Sequence, residues 1–281
     1  MLQQVAFLLA GLTPVLALAS PITVGGVPVE MPNPEGFVAV TDDMTELATL
    51  QRRFVAPGNK QFVTFIPHEA ASNARQGGLP DFVRRFSVQT AIDIADLDVA
   101  AADFRQLQRT IREQNEEIFA SNQAEMKAVM QDINKGLSED LGQELNLSMG
   151  EAVPLPPHRE TDRTIAYSMI TRFGINDASG QPTNMLVAAT TTVAHVKNRI
   201  LFFYTYADAD SLTWTREASE QWVDKVLTAN PVTHKFRVST LWNRFATRID
   251  WAQVLGSAGA GGLLALAVSL VRTRRRRSND G

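Results

Sequence analysis

The spacing of apolar side chains in the first third of the chain predicts short strands around one helix. Residues 22–40 alternate apolar with small or polar positions, and Gly25-Gly26 interrupts the alternation, which is typical of strands joined by a turn. Residues 43–54 have helical spacing. Residues 61–66 and 82–92 return to strand spacing, and a loop through Gly77-Gly78 and Pro80 leads into the second strand. In the second of these strands the alternate positions that share one face are Phe82, Arg84, Phe86, Val88, Thr90 and Ile92.

A long helical stretch follows, which we predict as an insertion at residues 98–149. It contains no proline, and its apolar or amide positions repeat after 11 residues, close to the period of a straight helix. Gly136 and Gly142 are expected to break it into a long and a shorter helix. The insertion either packs on the sheet of its own domain or forms a two-helix arm for a partner, and the amides within the stripe weaken a fully buried placement. The stripe consists of Phe104, Leu107, Ile111, Asn115, Ile118, Asn122, Met126, Val129, Ile133 and Leu137.

The second half of the body again has strand spacing. A proline-rich turn is expected at residues 153–157, then a strand at 164–173 and a hairpin whose turn is Lys197-Asn198. A closing amphipathic helix over 214–230 stops before Pro231, because proline disfavours helical backbone in the residue before it. The order of elements predicts an α+β fold, a mostly antiparallel sheet covered by helices, with the helical insertion and one C-terminal transmembrane helix.

The C-terminal thirty residues predict a membrane anchor. The segment from Trp251 to Val271 has no charged residue and is long enough for a helix that crosses a bilayer. The basic residues that follow indicate that the tail, 272–281, lies in the cytoplasm, because arginines accumulate on that side. These residues, the topology signal, are Arg272, Arg274, Arg275, Arg276 and Arg277.

The N-terminal residues 1–19 predict a secretory signal peptide. They contain a short apolar run and end in Ala17-Leu18-Ala19, a small-x-small cleavage pattern, although no basic residue precedes the run. If the segment stays uncleaved as an anchor, the following domain is still exported. We therefore predict a single-pass protein of the inner membrane, with its main domain, residues 20–231, in the periplasm.

Residues 232–250 connect the domain to the predicted span. They have an amphipathic pattern that fits either a basic helix on the membrane surface or an ordinary terminal helix packed on the domain. Within the span, Gly256 with Ala260 and Ser257 with Gly261 are small-xxx-small pairs, which let two membrane helices approach closely. A homodimer through the transmembrane helix is one hypothesis from this pattern.

Charge and cysteine content limit the function. Outside the tail the chain has 22 basic and 29 acidic side chains, a net charge of −7, which makes nucleic-acid binding a poor fit. The chain has no cysteine, which excludes disulfides and thiolate chemistry. No catalytic, cofactor or metal site is predicted: the four histidines lack metal-ligand spacing, and no G-x-S-x-G motif occurs. The four are His68, His158, His195 and His234.

Two clusters of aspartates are candidate Ca²⁺ ligands. The first consists of Asp93, Asp96 and Asp98, and the second of Asp208 and Asp210. Neither has the glycine and terminal glutamate of a calcium-binding loop, so solvated loop carboxylates are the simpler explanation.

Two stretches resemble the PsbP-like family. The opening VPVEMPNPEGF, residues 27–37, is similar to the first strand and the Gly-aromatic turn of that α/β sandwich, and residues 202–230 are similar to its last strand and C-terminal helix. The long helical insertion and the anchor depart from the family. The resemblance implies a binding or assembly protein without enzymatic activity. We therefore expect a membrane-anchored binding or scaffold domain that contacts another envelope protein through 98–149; the alternative is an envelope hydrolase whose site forms only in the fold.

Overall fold

The computed structural model describes residues 21–56, 58–80, 83–121, 127–128, 131–132, 134–135, 138, 146–176 and 182–232. Within these residues the chain forms nine strands and four α-helices. In chain order they are β1 Ile22–Val24, β2 Val27–Val29, β3 Phe37–Ala39, α1 Thr45–Arg52, β4 Asn59–Pro67, α2 His68–Arg75, β5 Arg85–Ala91, α3 Ala101–Ser121, β6 Asn146–Glu160, β7 Thr164–Asn176, β8 Pro182–Val196, β9 Arg199–Asp208 and α4 Leu212–Ala229.

The described strands form one large sheet and one small hairpin. The large sheet has seven strands in the order β3-β4-β5-β9-β8-β7-β6, and every neighbouring pair is antiparallel. Strands β1 and β2 pair only with each other. The prediction of a mixed fold around a mostly antiparallel sheet is therefore confirmed.

The β8–β9 connection forms the predicted tight hairpin. Lys197 and Asn198 have φ values of 48° and 62°, so both central residues adopt the left-handed conformation. Val196 and Arg199 pair directly on either side of the turn. Two left-handed central residues match the twist of the flanking strands, and an asparagine tolerates this conformation better than most side chains.

Helices cover both faces of the sheet. One face packs against α1, α2 and α3, whose side chains Leu47, Ala71 and Leu107 share a core with Tyr204 and Met169. The opposite face packs against α4 and the β1–β2 hairpin. In that second core the Trp222 ring lies edge-on against three phenylalanine rings from the sheet, Phe65, Phe86 and Phe203, with centroid distances of 5.1–5.4 Å.

One sequence prediction of local structure is wrong, and one helix has no counterpart in the sequence prediction. The segment between β4 and Gly77 forms α2, whose buried side chains Ala70, Ala71 and Ala74 are too small to give a strong apolar pattern. The proline-rich turn at 153–157 belongs instead to β6. This strand lies at one edge of the sheet, where a backbone without an N–H is tolerated because one side of the strand has no neighbour.

The helical insertion ends earlier in the chain than predicted. Helix α3 begins at Ala101, but residues 146–149 of the predicted 98–149 insertion already belong to β6. Residues 127–128, 131–132, 134–135 and 138 are helical, and the remainder of 122–145 lies outside the described residues.

The predicted leader at 1–19 and the chain after Val232 lie outside the described residues. The span 251–271, the tail 272–281 and nearly all of 232–250 fall there. No helix in the described part of the chain is long and apolar enough to cross a membrane.

Candidate functional site

A row of polar side chains crosses the sheet beneath α1, α2 and α3. Tyr167 pairs with Thr191, Thr191 with Tyr204, Tyr204 with Ser87, and Ser87 with Thr64, one residue from each of five adjacent strands. Directly paired residues lie on the same face of a sheet. All five are between 0% and 5% exposed. A sheet face that helices cover ordinarily carries aliphatic side chains, so this buried polar row needs a specific explanation.

Arg85 lies in the next row, where it pairs with Tyr206. Its side chain is only 2% exposed, and its guanidinium carbon lies 4.2 Å from the centre of the Tyr206 ring. Nη1 donates a long hydrogen bond of 3.5 Å to the carbonyl of Val83, and Nη2 has no partner. Among the described residues no carboxylate lies within ion-pair distance of Arg85.

Burial affects the ionisation of this cluster. It lowers the pKa of Arg85 to about 10, so the guanidinium still carries its charge at neutral pH. Burial also raises the pKa of Tyr167, Tyr204 and Tyr206, and the charge of Arg85 opposes part of that increase at Tyr206. The three phenols therefore keep their protons at neutral pH and can act as hydrogen-bond donors.

Two hydroxyls of the polar row are not satisfied. The Tyr167 hydroxyl and Thr191 Oγ1 make no bond that meets hydrogen-bond geometry, although Thr191 is close enough to lower the pKa of Tyr167 slightly against the larger effect of burial. The rings of Tyr204 and Tyr206 lie between Tyr167 and Arg85, nearly parallel at 20° and with centroids 6.2 Å apart. We call these five residues the Arg85–tyrosine cluster: Arg85, Tyr167, Thr191, Tyr204 and Tyr206.

The polar side chains on β4 and β5 beside this cluster are bonded to one another. Ser87 donates to Gln61 at 3.2 Å, Gln89 donates to Ser87 at 3.5 Å, and Asn59 donates to Gln89 at 3.3 Å. Each of these four side chains therefore has at least one polar partner among its neighbours. Arg85 Nη2, Tyr167 OH and Thr191 Oγ1 have no hydrogen-bond partner.

Hydroxyl groups also connect α4 to the opposite face of the sheet. Thr190 bonds Ser168 at 2.9 Å and Thr215 at 2.8 Å, and Arg216 donates to Ser168 at 3.2 Å. Ser168 is completely buried. Because the Ser168 hydroxyl is hydrogen-bonded and inaccessible to solvent, its role is to connect the helix to the sheet and not to act as a nucleophile.

The histidines and acidic residues considered in the sequence do not converge. His195 is buried, its Nε2 lies 2.7 Å from the carbonyl oxygen of Val99, and its ring stacks on Phe104. His158 is exposed on β6, and His68 begins α2. No group of three His, Asp or Glu side chains in the described part of the chain could hold a metal ion.

The two acidic groups lie in different places. Asp93 lies within a single 3-10 turn after β5. Asp208 and Asp210 line an open cleft of about 510 Å³ with Arg172 at the far end of β9.

The buried stripe of α3 is described as far as Ile111. Phe104, Leu107 and Ile111 are buried against the sheet, and Gln108 donates to the carbonyls of Thr161 and Thr164 at 2.6 and 2.9 Å. After Ile111 every described side chain of α3 is exposed. This exposed half of α3 comprises Arg112, Glu113, Gln114, Glu116, Glu117 and Ala120.

The first half of α3 therefore packs on its own domain as one hypothesis predicts, and the arm formed by the segment after it stays a prediction. The side chains of Asn115 and Ile118 lie outside the described set, as do those of the later stripe positions.

The residues that the sequence singled out for membrane insertion and dimerisation are not described. They are Trp251, Gly256, Ala260, Gly261 and Val271, together with the arginines of the tail. Neither a family model, nor a curated protein, nor a solved structure matches the chain significantly.

The Arg85–tyrosine cluster is not predicted from the sequence. The only signal was the alternation in β5, where Arg85, Ser87 and Gln89 face one way and Phe86 and Val88 the other. Such alternation is typical of a strand with one face in water. The helices that cover the polar face come from distant parts of the chain.

Proposed function

We propose that the chain is a membrane-anchored periplasmic binding or scaffold domain that contacts another envelope protein through α3 and the helical segment after it. The observation that carries this proposal is the exposure of every described side chain of α3 after Ile111. Three turns of α3 are fixed to the body by Phe104, Leu107 and Gln108, and the following turns present their described side chains to solvent.

The fixed half of α3 makes the exposed half suitable for recognition. Because the first half of α3 is packed on the body, we expect the helix to keep its direction. Binding of a partner to the exposed half then costs less conformational entropy than binding to a flexible segment that must first become ordered. The exposed half carries Glu113, Glu116 and Glu117, and the sequence repeat predicts an apolar stripe that continues through Ile118. An amphipathic partner helix with basic flanks fits that combination.

The proposed location rests on the two ends of the sequence. We propose that residues 1–19 direct export, that 251–271 cross the inner membrane, and that the arginines from Arg272 hold the tail in the cytoplasm. A phosphatase reporter fused after Gly281 should be inactive, whereas the same reporter placed after Val232 should be active. The opposite pattern would reject this topology.

Photo-crosslinking in native membranes tests the partner contact. A crosslinking amino acid at Glu116 should capture one defined protein, whereas the same group at Gln221, which is exposed on α4, should not. Charge reversal by Glu113→Arg and Glu117→Arg should remove the product. Equal products from positions 116 and 221, or none from 116, would contradict the proposal.

The PsbP-like resemblance remains part of this proposal. The layered arrangement of helices on both faces of an antiparallel sheet supports it, but the resemblance carries no residue-level role. The alternative, an envelope hydrolase, has no specific support in the described residues. Ser168 is buried. His195 lies on the other face of the sheet, where its ring is hydrogen-bonded to the backbone carbonyl of Val99.

A further inference from the structure

We propose that the Arg85–tyrosine cluster binds the carboxylate of a small organic acid with a flat apolar body. This site lies inside the sheet–helix core, apart from the exposed half of α3, and it is independent of the proposed partner contact. Its basis is a buried, unpaired cation next to unpartnered hydroxyl groups.

The charge of Arg85 is the first argument. Taking a guanidinium out of water costs several kcal/mol, and folded proteins offset this with a carboxylate or a full set of hydrogen bonds. Arg85 has one ring contact and one bond of 3.5 Å, with Nη2 unpartnered. A bound carboxylate would supply both the missing charge and the missing acceptor.

The number of charges favours a monocarboxylate. One guanidinium neutralises one negative charge, and the described residues place no second basic side chain in the cluster. A phosphate dianion would leave a negative charge uncompensated in this core, which is unfavourable at low dielectric. We therefore choose a carboxylate among the oxyanions that arginine binds.

The neighbouring side chains define the rest of the ligand. The rings of Tyr206 and Tyr204 follow one another along β9, with Tyr206 beside Arg85. The two residues are two positions apart, about 7 Å along the strand. Tyr167 and Thr191 pair directly in the same row as Tyr204 and offer unpartnered hydroxyls. An aromatic acid would place its carboxylate at Arg85 and its ring against the tyrosines, with a distal hydroxyl towards Tyr167.

The site is enclosed. Arg85 and the three tyrosines are at most 2% exposed, so binding requires the helical layer to open and the bound acid would leave slowly. The acid is therefore expected to stabilise the closed fold and to raise its unfolding temperature.

Thermal unfolding of the detergent-solubilised full-length protein tests the proposal. Benzoate and 4-hydroxybenzoate are the probes, and benzamide is the neutral control. Both acids should raise the unfolding temperature and benzamide should not. Arg85→Met should weaken benzoate binding about tenfold or more, because it removes a charge-assisted hydrogen bond.

Arg84→Met is the matched control. Arg84 is the adjacent arginine, but its guanidinium lies 4.7 Å from the Trp214 ring on the α4 side. This variant should bind benzoate as the wild type does. Tyr167→Phe removes one hydroxyl and should reduce only the extra stabilisation that 4-hydroxybenzoate gives over benzoate. This variant tests the proposal if Arg85→Met does not fold.

Two outcomes would overturn the proposal. In the first, neither acid changes the unfolding temperature of the wild type. In the second, the acids stabilise Arg85→Met as strongly as the wild type. A lower unfolding temperature of Arg85→Met, together with a wild type insensitive to both acids, would instead assign Arg85 a structural role.

Discussion

Asn230, the residue that ends α4, binds the backbone of Glu30 through both ends of its side-chain amide. Oδ1 accepts from the Glu30 amide at 2.9 Å, and Nδ2 donates to the Glu30 carbonyl at 2.7 Å and to Val226 at 2.8 Å. The two residues are 200 positions apart, and Asn230 is completely buried. One side chain thus fastens the last helix of the body to its first hairpin.

Removing this amide should destabilise the domain strongly. Asn230→Ala leaves two backbone groups of Glu30 without their partners, at a cost of about 3 kcal/mol in the free energy of unfolding. Chemical denaturation of the detergent-solubilised protein measures the change. Asn184→Ala, at an exposed asparagine of β8, should change it by less than about 0.5 kcal/mol. Similar losses at both positions would refute the role of Asn230.

Trp222 provides a second test of the α4 contact. Its indole N–H donates to the carbonyl of Pro32 at 2.8 Å. Trp222→Phe keeps an aromatic ring but loses this bond and some volume, so we expect a loss of about 2 kcal/mol in the free energy of unfolding. Trp214→Phe, at a half-buried tryptophan of the same helix, should cost less than half of that. A Trp222→Phe protein as stable as the wild type would show that the bond contributes nothing.

The stability of the domain should depend on the backbone conformation of the β8–β9 turn. Asn198 has a φ of 62°, a value that β-branched side chains adopt at a cost of about 1–2 kcal/mol. Asn198→Val should therefore destabilise the fold, whereas Asn198→Gly should leave its stability within about 0.5 kcal/mol. Denaturant midpoints of the two variants compare the effects directly. Equal midpoints would indicate that the turn does not constrain the residue.

His195 should make stability depend on pH. Burial is the main cause that lowers its pKa below 6.5, so the folded state favours the neutral ring. Stability from this residue is complete above the unfolded-state pKa of about 6.5 and is lost as pH falls through the lower folded-state pKa. The free energy of unfolding should decline from about pH 6.5 downwards. His195→Gln should flatten that decline when chemical denaturation is measured across this pH range.

Local signals in the sequence predicted those parts of the fold that depend on nearby residues. The Lys197-Asn198 turn, the strands beside it and the end of α4 before Pro231 all depend on short-range backbone preferences, and the structure confirms them. Helix α2 was missed because alanines form its buried face, and alanine gives little contrast in an apolar pattern. The prolines of β6 predict a turn when only nearby residues are considered, because edge placement depends on the order of the whole sheet.

The Arg85–tyrosine cluster shows why a site of this kind cannot be predicted locally. Arg85 has the spacing of a solvent-facing residue, and its burial depends on α1, α2 and α3, which reach the same face from separate segments. The exposed half of α3 was only partly predictable. The 11-residue repeat predicts the direction of the stripe, and the stripe residues after Ile111 lie outside the described set.

The prolines of β6 also limit how this protein can associate. Pro154, Pro156 and Pro157 supply no amide hydrogen along the outermost strand, so a foreign strand could not continue the ladder past them. This part of β6 therefore offers no continuous backbone ladder to a second copy of the domain or to a partner strand. Contacts made here depend on side chains and not on shared backbone hydrogen bonds.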